Sequence, residues 1–262
     1  MSNSNQKIES LKQNGYSLDL GEVISQSFEN FKKIAVNAGV ATLITSIVLI
    51  ALSFGAIGIF VGFANFGSEM AGFHVSNFSS TSLILYIIGT SLVGAIMYPF
   101  TAGIIKMAHE AEIGREINIG TAFDHYKSEY FKELFLTGLL LGFITNILAT
   151  TLQFMHWDFL GTLATYIVSF FAVFAIPLII FQNHNSTTAI SNSFALVFKQ
   201  PFVILVALIV SAIIAMVGII ALCIGIFFTL PIIYSTQYIL FKNAVGVEEK
   251  NEIDEIGIST EI

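Results

Sequence analysis

The stretch QPFVILVALIVSAIIAMVGIIALCIGIFFTLPIIYSTQYILF, residues 200–241, runs for 42 residues without an Asp, Glu, Lys or Arg. As one helix it would be about 60 Å long. The hydrocarbon layer of a bilayer is about 30 Å thick, and about 20 residues cross it. The run is therefore read as two spans joined by a tight turn near Gly218 to Gly225.

Upstream, residues 39–63, 82–105, 135–154 and 159–181 are also long, apolar and free of Lys and Arg. The third of these is the weakest, because it carries Thr137, Thr145, Asn146, Thr150, Thr151 and Gln153. The expected fold class is thus an all-α integral membrane protein with six transmembrane helices. Composition agrees: 55% of the 262 residues are apolar and 11% are charged, against roughly 25% charged in soluble domains. Mean hydropathy is +0.81.

Charge placement sets the expected orientation. With the N-terminus inside, all 11 basic residues fall on the inner side, from Lys7 and Lys12 through Lys106 and Arg115 to Lys242 and Lys250. That is the pattern of the positive-inside rule. The expected location is a bacterial cytoplasmic membrane with both termini cytoplasmic. The polar start, residues 1–17, has no signal-peptide layout and is read as a cytoplasmic tail. Residues 18–242 are read as one membrane domain, and 243–262 as an acidic, disordered cytoplasmic tail. The net charge of −7 and the lack of a basic domain speak against nucleic-acid partners. Membrane lipids, and other membrane proteins, are the expected partners.

Three segments look alike. Asp19 to Lys33, Asn118 to Ser128 and Thr187 to Lys199 each place a small residue before a phenylalanine and a lysine shortly after it. The phenylalanines, Phe28, Phe123 and Phe194, are 95 and 71 residues apart and are read as interfacial anchors. Each segment is expected to form an amphipathic helix lying in the headgroup layer. The first should start with a capping box between Asp19 and Glu22. Each precedes a pair of spans, and the second span of each pair carries one proline: Pro99, Pro177 and Pro231. The unit of amphipathic helix plus helical hairpin is therefore used three times, over about 18–106, 117–183 and 187–242, as three degenerate parallel repeats.

The Ser-Phe-Glu-Asn-Phe-Lys-Lys segment ending at Lys33 resembles the start of the membrane domain attached to some bacterial glycerophosphodiester phosphodiesterases. Ser193 to Pro201, leading to Gly225 through Pro231, resembles it too. The resemblance spans roughly Leu18 to Lys242 and extends to six-span bacterial membrane proteins of unknown function. In that group the catalytic chemistry belongs to a separate soluble domain, so the resemblance implies a location and a fold rather than catalysis.

No catalytic constellation is legible. No acidic or basic residue lies inside a span, which removes the usual marks of proton-coupled transport. The five histidines, His74, His109, His125, His156 and His184, sit near the surfaces. His109, Glu110, Glu112, Glu116, His125 and Glu129 form the densest set of possible metal ligands, but no His-Glu-x-x-His pattern exists, and the segment is read as a charged cytoplasmic loop. A second outer set is Glu69, His74, His156 and Asp158. No cofactor or metal is expected, and Cys223 is read as a small core residue. The Gly58-x-x-x-Gly62 and Gly138-x-x-x-Gly142 pairs are expected to pack helices within the chain. Asn146 is expected to hydrogen-bond to a neighbouring helix.

The leading functional expectation is a non-enzymatic scaffold, assembly factor or accessory subunit. The alternative is a carrier or flippase for a lipid or other apolar molecule, with a cavity lined near Tyr98, Thr101, Tyr234 and Ser235 and with kinks at the three prolines. A third reading is a membrane enzyme such as a carotene monooxygenase. It is disfavoured because carotenoid-cleaving membrane oxygenases hold iron through histidines on their spans, and no span here carries one.

Overall fold

The computed structural model describes residues 3–60, 78–220 and 224–247. Gly62, Glu69, His74, Cys223 and the acidic tail beyond Val247 lie outside the described residues. The described residues are mostly helical, with no strand among them. The order is α1 (Asn3–Asn14), α2 (Leu20–Phe60), α3 (Ser80–Glu112), a 3₁₀ helix (Ile119–Tyr126), α4 (Phe131–Phe154) and α5 (Asp158–Phe171). These are followed by α6 (Ala175–Gln182), α7 (Ser186–Val197), α8 (Pro201–Ile220), α9 (Gly225–Thr229) and α10 (Pro231–Ala244).

Five stretches are long and apolar enough to cross a membrane: Leu20–Gly55, Ser80–Glu112, Phe131–Phe154, Asp158–Gln182 and Pro201–Ile220. Many of their side chains stay exposed, among them Leu52, Leu85, Phe159, Tyr166, Met216 and Ile220. So large an apolar surface would drive aggregation in water, whereas in a bilayer it faces lipid. The chain is membrane-embedded.

Burial is uneven along the helices. The fully buried large side chains, including Ile8, Ile34, Ile104, Ile105, Leu178, Leu196, Tyr238 and Phe241, gather at the end that holds α1 and the end of α10. We call this end the base. The segment read as a polar tail contributes to it: α1 buries Ile8, and Tyr16 donates to Leu196 O at 2.8 Å while its carbonyl accepts from Gln200 at 2.9 Å.

The three look-alike segments take three different forms. The first is not a separate interfacial helix but the opening turns of the 41-residue α2. No proline or glycine pair separates Lys33 from Gly39, so the helix simply continues. Asp19 accepts from the Glu22 N–H at 2.8 Å as expected, but Glu22 bonds Gln26 instead of reaching back. The buried stripe is Val23, Ser27, Asn30, Ile34, Ala38 and Ala41, while Phe28 lies 43% exposed on another face. The second segment is the 3₁₀ helix, and the third is the α-helix α7.

Helix pairs pack through the small residues the sequence marks. A Cβ on Gly138 would lie 2.8 Å from Ala95 Cα, and one on Gly142 would lie 3.2 Å from Ser91 Cα, so α4 rests directly on α3. Asn146 donates to Ser91 Oγ at 3.1 Å across the same contact.

Of the three prolines, Pro99 sits inside the continuous α3, whereas Pro177 and Pro231 follow breaks. Proline cannot bond the carbonyl four residues earlier. For Pro177 that carbonyl belongs to Val173, and Gln237 of α10 takes it at 2.5 Å. In the same break Ser193 of α7 accepts from the Phe174 N–H at 3.0 Å and donates to Phe171 O at 2.7 Å. Near Pro99, Tyr126 of the 3₁₀ helix donates to Ile96 O at 2.8 Å. Replacing Gln237 with Leu strands a buried carbonyl, at a cost of roughly 1–3 kcal/mol. The midpoint of denaturant unfolding in a neutral detergent is expected to fall accordingly. Asn14→Leu, on the exposed end of α1, serves as the control.

Candidate functional site

A cavity of about 920 Å³ opens at the base between the end of α3, the 3₁₀ helix and the end of α6. Gly103 sets one wall. A Cβ there would lie 2.1 Å from Ala122 O, so the 3₁₀ backbone lies flat on α3. α3 contributes Lys106, His109 and Glu110, the 3₁₀ helix contributes Phe123, Asp124 and His125, and α6 contributes Ile180, Phe181 and Gln182. Arg115 and Lys127 stand at exposed positions on its edge.

The charged groups are tied to one another across elements. Lys106 Nζ lies 2.7 Å from Asp124 Oδ2 and 3.4 Å from Glu110 Oε1. Glu112 accepts from Lys242 and, at 2.5 Å, from the Tyr238 hydroxyl. Tyr238 has a single O–H, and it is spent on Glu112, so its oxygen accepts from His109 Nδ1 at 3.0 Å. This places a proton on His109 Nδ1. The chain Lys242–Glu112–Tyr238–His109 thus runs from α10 to the cavity wall.

Two histidines at the base are buried with an unsatisfied nitrogen. His125 meets Ser128 Oγ at 3.0 Å through Nδ1, and His184 meets Asn192 Nδ2 at 3.2 Å through Nδ1. Both Nε2 atoms are buried without a hydrogen-bond partner. Burial, reinforced by the positive charge of Lys106, pushes the His125 pKa down to about 4, against a smaller opposing pull from Asp124. Burial, and then Lys12, lowers that of His184. Both imidazoles are neutral at pH 7. His184 also borders a neighbouring cavity of about 370 Å³ with Glu129 and Glu133, where Glu133 accepts from the Ser186 N–H at 2.7 Å.

The residues expected to line a cavity lie elsewhere. The Tyr98 ring presses on Gly138, Tyr234 is hydrogen-bonded to Thr101, and Ser235 donates to Asn30 Oδ1 at 2.9 Å. These four residues pack α2, α3, α4 and α10 together, and none is among the lining residues of the large cavity. Of the three phenylalanine anchors, Phe123 alone borders it. Phe28 is exposed, and Phe194 stacks on Phe171 with ring centres 5.5 Å apart. Within the dense set of possible metal ligands, as elsewhere among the described residues, no group of three His, Cys, Asp or Glu is positioned to hold a metal. His156 and Asp158 are exposed at the far end, while Glu69 and His74 of the outer set are outside the described residues. The charge density of residues 106–132 was the sequence signal for the cavity. Its third wall, α6, could not be read from that segment.

The His125 environment gives a pH dependence of definite sign. Its folded pKa lies below the unfolded value, so the unfolded chain binds more protons between about pH 6.5 and pH 4. Stability is therefore expected to fall as pH drops through that window, by roughly 3 kcal/mol at most from this group. His125→Gln should flatten the curve of unfolding midpoint against pH, and an unchanged slope would assign the effect to another group. No known protein family, curated protein or solved structure matches the chain.

Proposed function

We propose that this chain is a six-span protein of the bacterial cytoplasmic membrane that acts as a scaffold, assembly factor or accessory subunit, and not as an enzyme. In this reading the sixth span is the pair α9 and α10, which returns along α8. Gly218 of α8 comes so close to α9 that a Cβ would lie 2.2 Å from Thr229 Oγ1. Three degenerate repeats, each a short amphipathic segment and a helical hairpin, make up the domain. Both termini face the cytoplasm, and the fold is that of the membrane domains of glycerophosphodiester phosphodiesterases, which the chain resembles.

One observation carries the reading. Several ionisable groups at the base are tied across elements, Lys106 to Asp124, Glu112 to Lys242, and Glu133 to the Ser186 N–H. Such pairing suits a fixed docking unit better than a site that must change protonation during a reaction. The positive-inside pattern supports the orientation, because the described basic residues Lys12, Lys106, Lys127 and Lys242 belong to elements of the base. A carrier role for an apolar molecule is the second reading, favoured by the breaks before Pro177 and Pro231, which offer points of bending.

Native mass spectrometry of the protein released from membrane nanodiscs separates these readings. The accessory role predicts a stoichiometric second protein chain and no transition metal. A stoichiometric metal would contradict it in favour of an enzyme. A retained lipid or pigment with no protein partner would favour the carrier.

A further inference from the structure

We infer that the large cavity at the base is a binding site for an uncharged, ring-bearing lipophile with one hydrogen-bonding oxygen, an aromatic alcohol or ketone. The site is additional to the accessory role and does not depend on it. Its size, about 920 Å³, falls within the range of small-molecule sites. Rings form much of its wall. Phe181 meets His109 edge-on with ring centres 5.2 Å apart, and Tyr130 meets His125 edge-on at 5.8 Å. Phe123 stands exposed at the opening. Such walls take a further ring in offset or edge-to-face contact. Ile180, buried beside Phe181, adds an aliphatic patch.

The charges of the lining disfavour ions of both signs. Lys106 is held between Glu110 and Asp124, so that cluster carries a net charge of −1, from one base and two acids. The last turns of α3 and α6 form two of the walls and add the negative ends of two helices. Arg115 is already engaged with a partner of its own. An anionic group would therefore face two carboxylates and find Lys106 shared between them. A cation fares no better. Lys127 stands exposed at the edge, and at His125 the positive field of Lys106 outweighs the pull of Asp124. Burial first, and then Lys106, keep that imidazole itself uncharged. Taking an ion of either sign out of water into such a site is costly without a matched partner. An uncharged molecule avoids that cost.

His125 supplies the polar contact. It belongs to the lining, is 5% exposed, and its Nε2 is buried without a hydrogen-bond partner. An unpaired buried nitrogen is unfavourable, and an oxygen on the bound molecule would supply the bond. A hydroxyl can donate to a bare Nε2, and a carbonyl can accept from a protonated one. The proton shared between Nδ1 and Ser128 Oγ decides between them. Position supports the same class. The uncharged run of α3 ends at Ile105, and the cavity starts at Lys106. The site is therefore level with the membrane boundary, where molecules with an aromatic body and a polar tip collect.

The test uses the full chain in neutral maltoside detergent with naphthalene probes of similar size. Naphthalenemethanol and acetonaphthone are uncharged and oxygenated, methylnaphthalene is uncharged and apolar, and naphthoate and naphthylmethylammonium are the ions. Thermal stabilisation and native mass spectrometry report binding, corrected for uptake by empty micelles. The inference predicts saturable binding of one oxygenated uncharged probe per chain, at least about tenfold tighter than either ion. Phe181→Ala is expected to weaken it about tenfold. His125→Leu is expected to cancel the advantage of the oxygenated probes over methylnaphthalene. Phe202→Ala, on an exposed side chain of α8 outside the cavity, should bind as the parent does. Preference for the alcohol would assign a hydroxyl-bearing ligand, and preference for the ketone a carbonyl-bearing one. Both outcomes support the class. Equal binding of either ion would overturn the selection for an uncharged ligand, and that comparison needs no variant to fold. Undiminished binding by Phe181→Ala would overturn the site, and an advantage kept in His125→Leu would overturn the oxygen contact. A partner protein retained while no probe binds would overturn this inference alone and leave the accessory role standing.

Discussion

A bilayer offers no water to a freed backbone group, so every break in a membrane helix must be answered by a neighbour. The break between α5 and α6 is answered twice. Ser193 serves Phe171 O and the Phe174 N–H, and Gln237 serves the Val173 carbonyl that Pro177 leaves empty. These three bonds fix α6 to α7 on one side and to α10 on the other. Because α6 then supplies Ile180, Phe181 and Gln182 to the cavity, the shape of the site follows from the repair of the break.

The same economy shapes the rest of the base. Polar side chains on buried helix faces bond carbonyls or each other: Asn30 donates to Ala108 O at 2.7 Å and accepts from Ser235. Gln182 reaches Gly246 O at 3.2 Å, and Thr137 donates to Ser186 Oγ at 2.9 Å. Hydrogen bonds are worth more where water is scarce. The base is thereby locked, while the apolar ends of the helices away from it rely on lipid to cover them. His125 and His184 are the exceptions, each with one nitrogen left unanswered.

Much of this was legible in the sequence, for physical reasons. Uncharged runs announce helices that must satisfy their own backbones, so the membrane character could be read directly. The Gly138 and Gly142 contact with α3 and the Asn146 bond to Ser91 followed from residue size and the scarcity of amides in spans. The buried face of α2 was not legible, because Asn30 looks like a solvent-facing residue until its partners on α3 and α10 are known, and Ser27 is buried while donating to Val23 O of its own helix. Repeat similarity also misled. Phe28, Phe123 and Phe194 share a local pattern, yet tertiary contacts make one segment continuous helix, one 3₁₀ and one a separate α-helix. The cavity joins Lys106 to Asn183 across 77 residues of sequence, a distance no local pattern spans.

Hydrogen–deuterium exchange in nanodiscs tests the central claim, that Ser193 and Gln237 hold the α5–α6 break and through it the cavity wall. The account predicts slow exchange at the amides of residues 172–176 in the parent protein and a marked acceleration there in Ser193→Ala. Unchanged protection in that variant would contradict it.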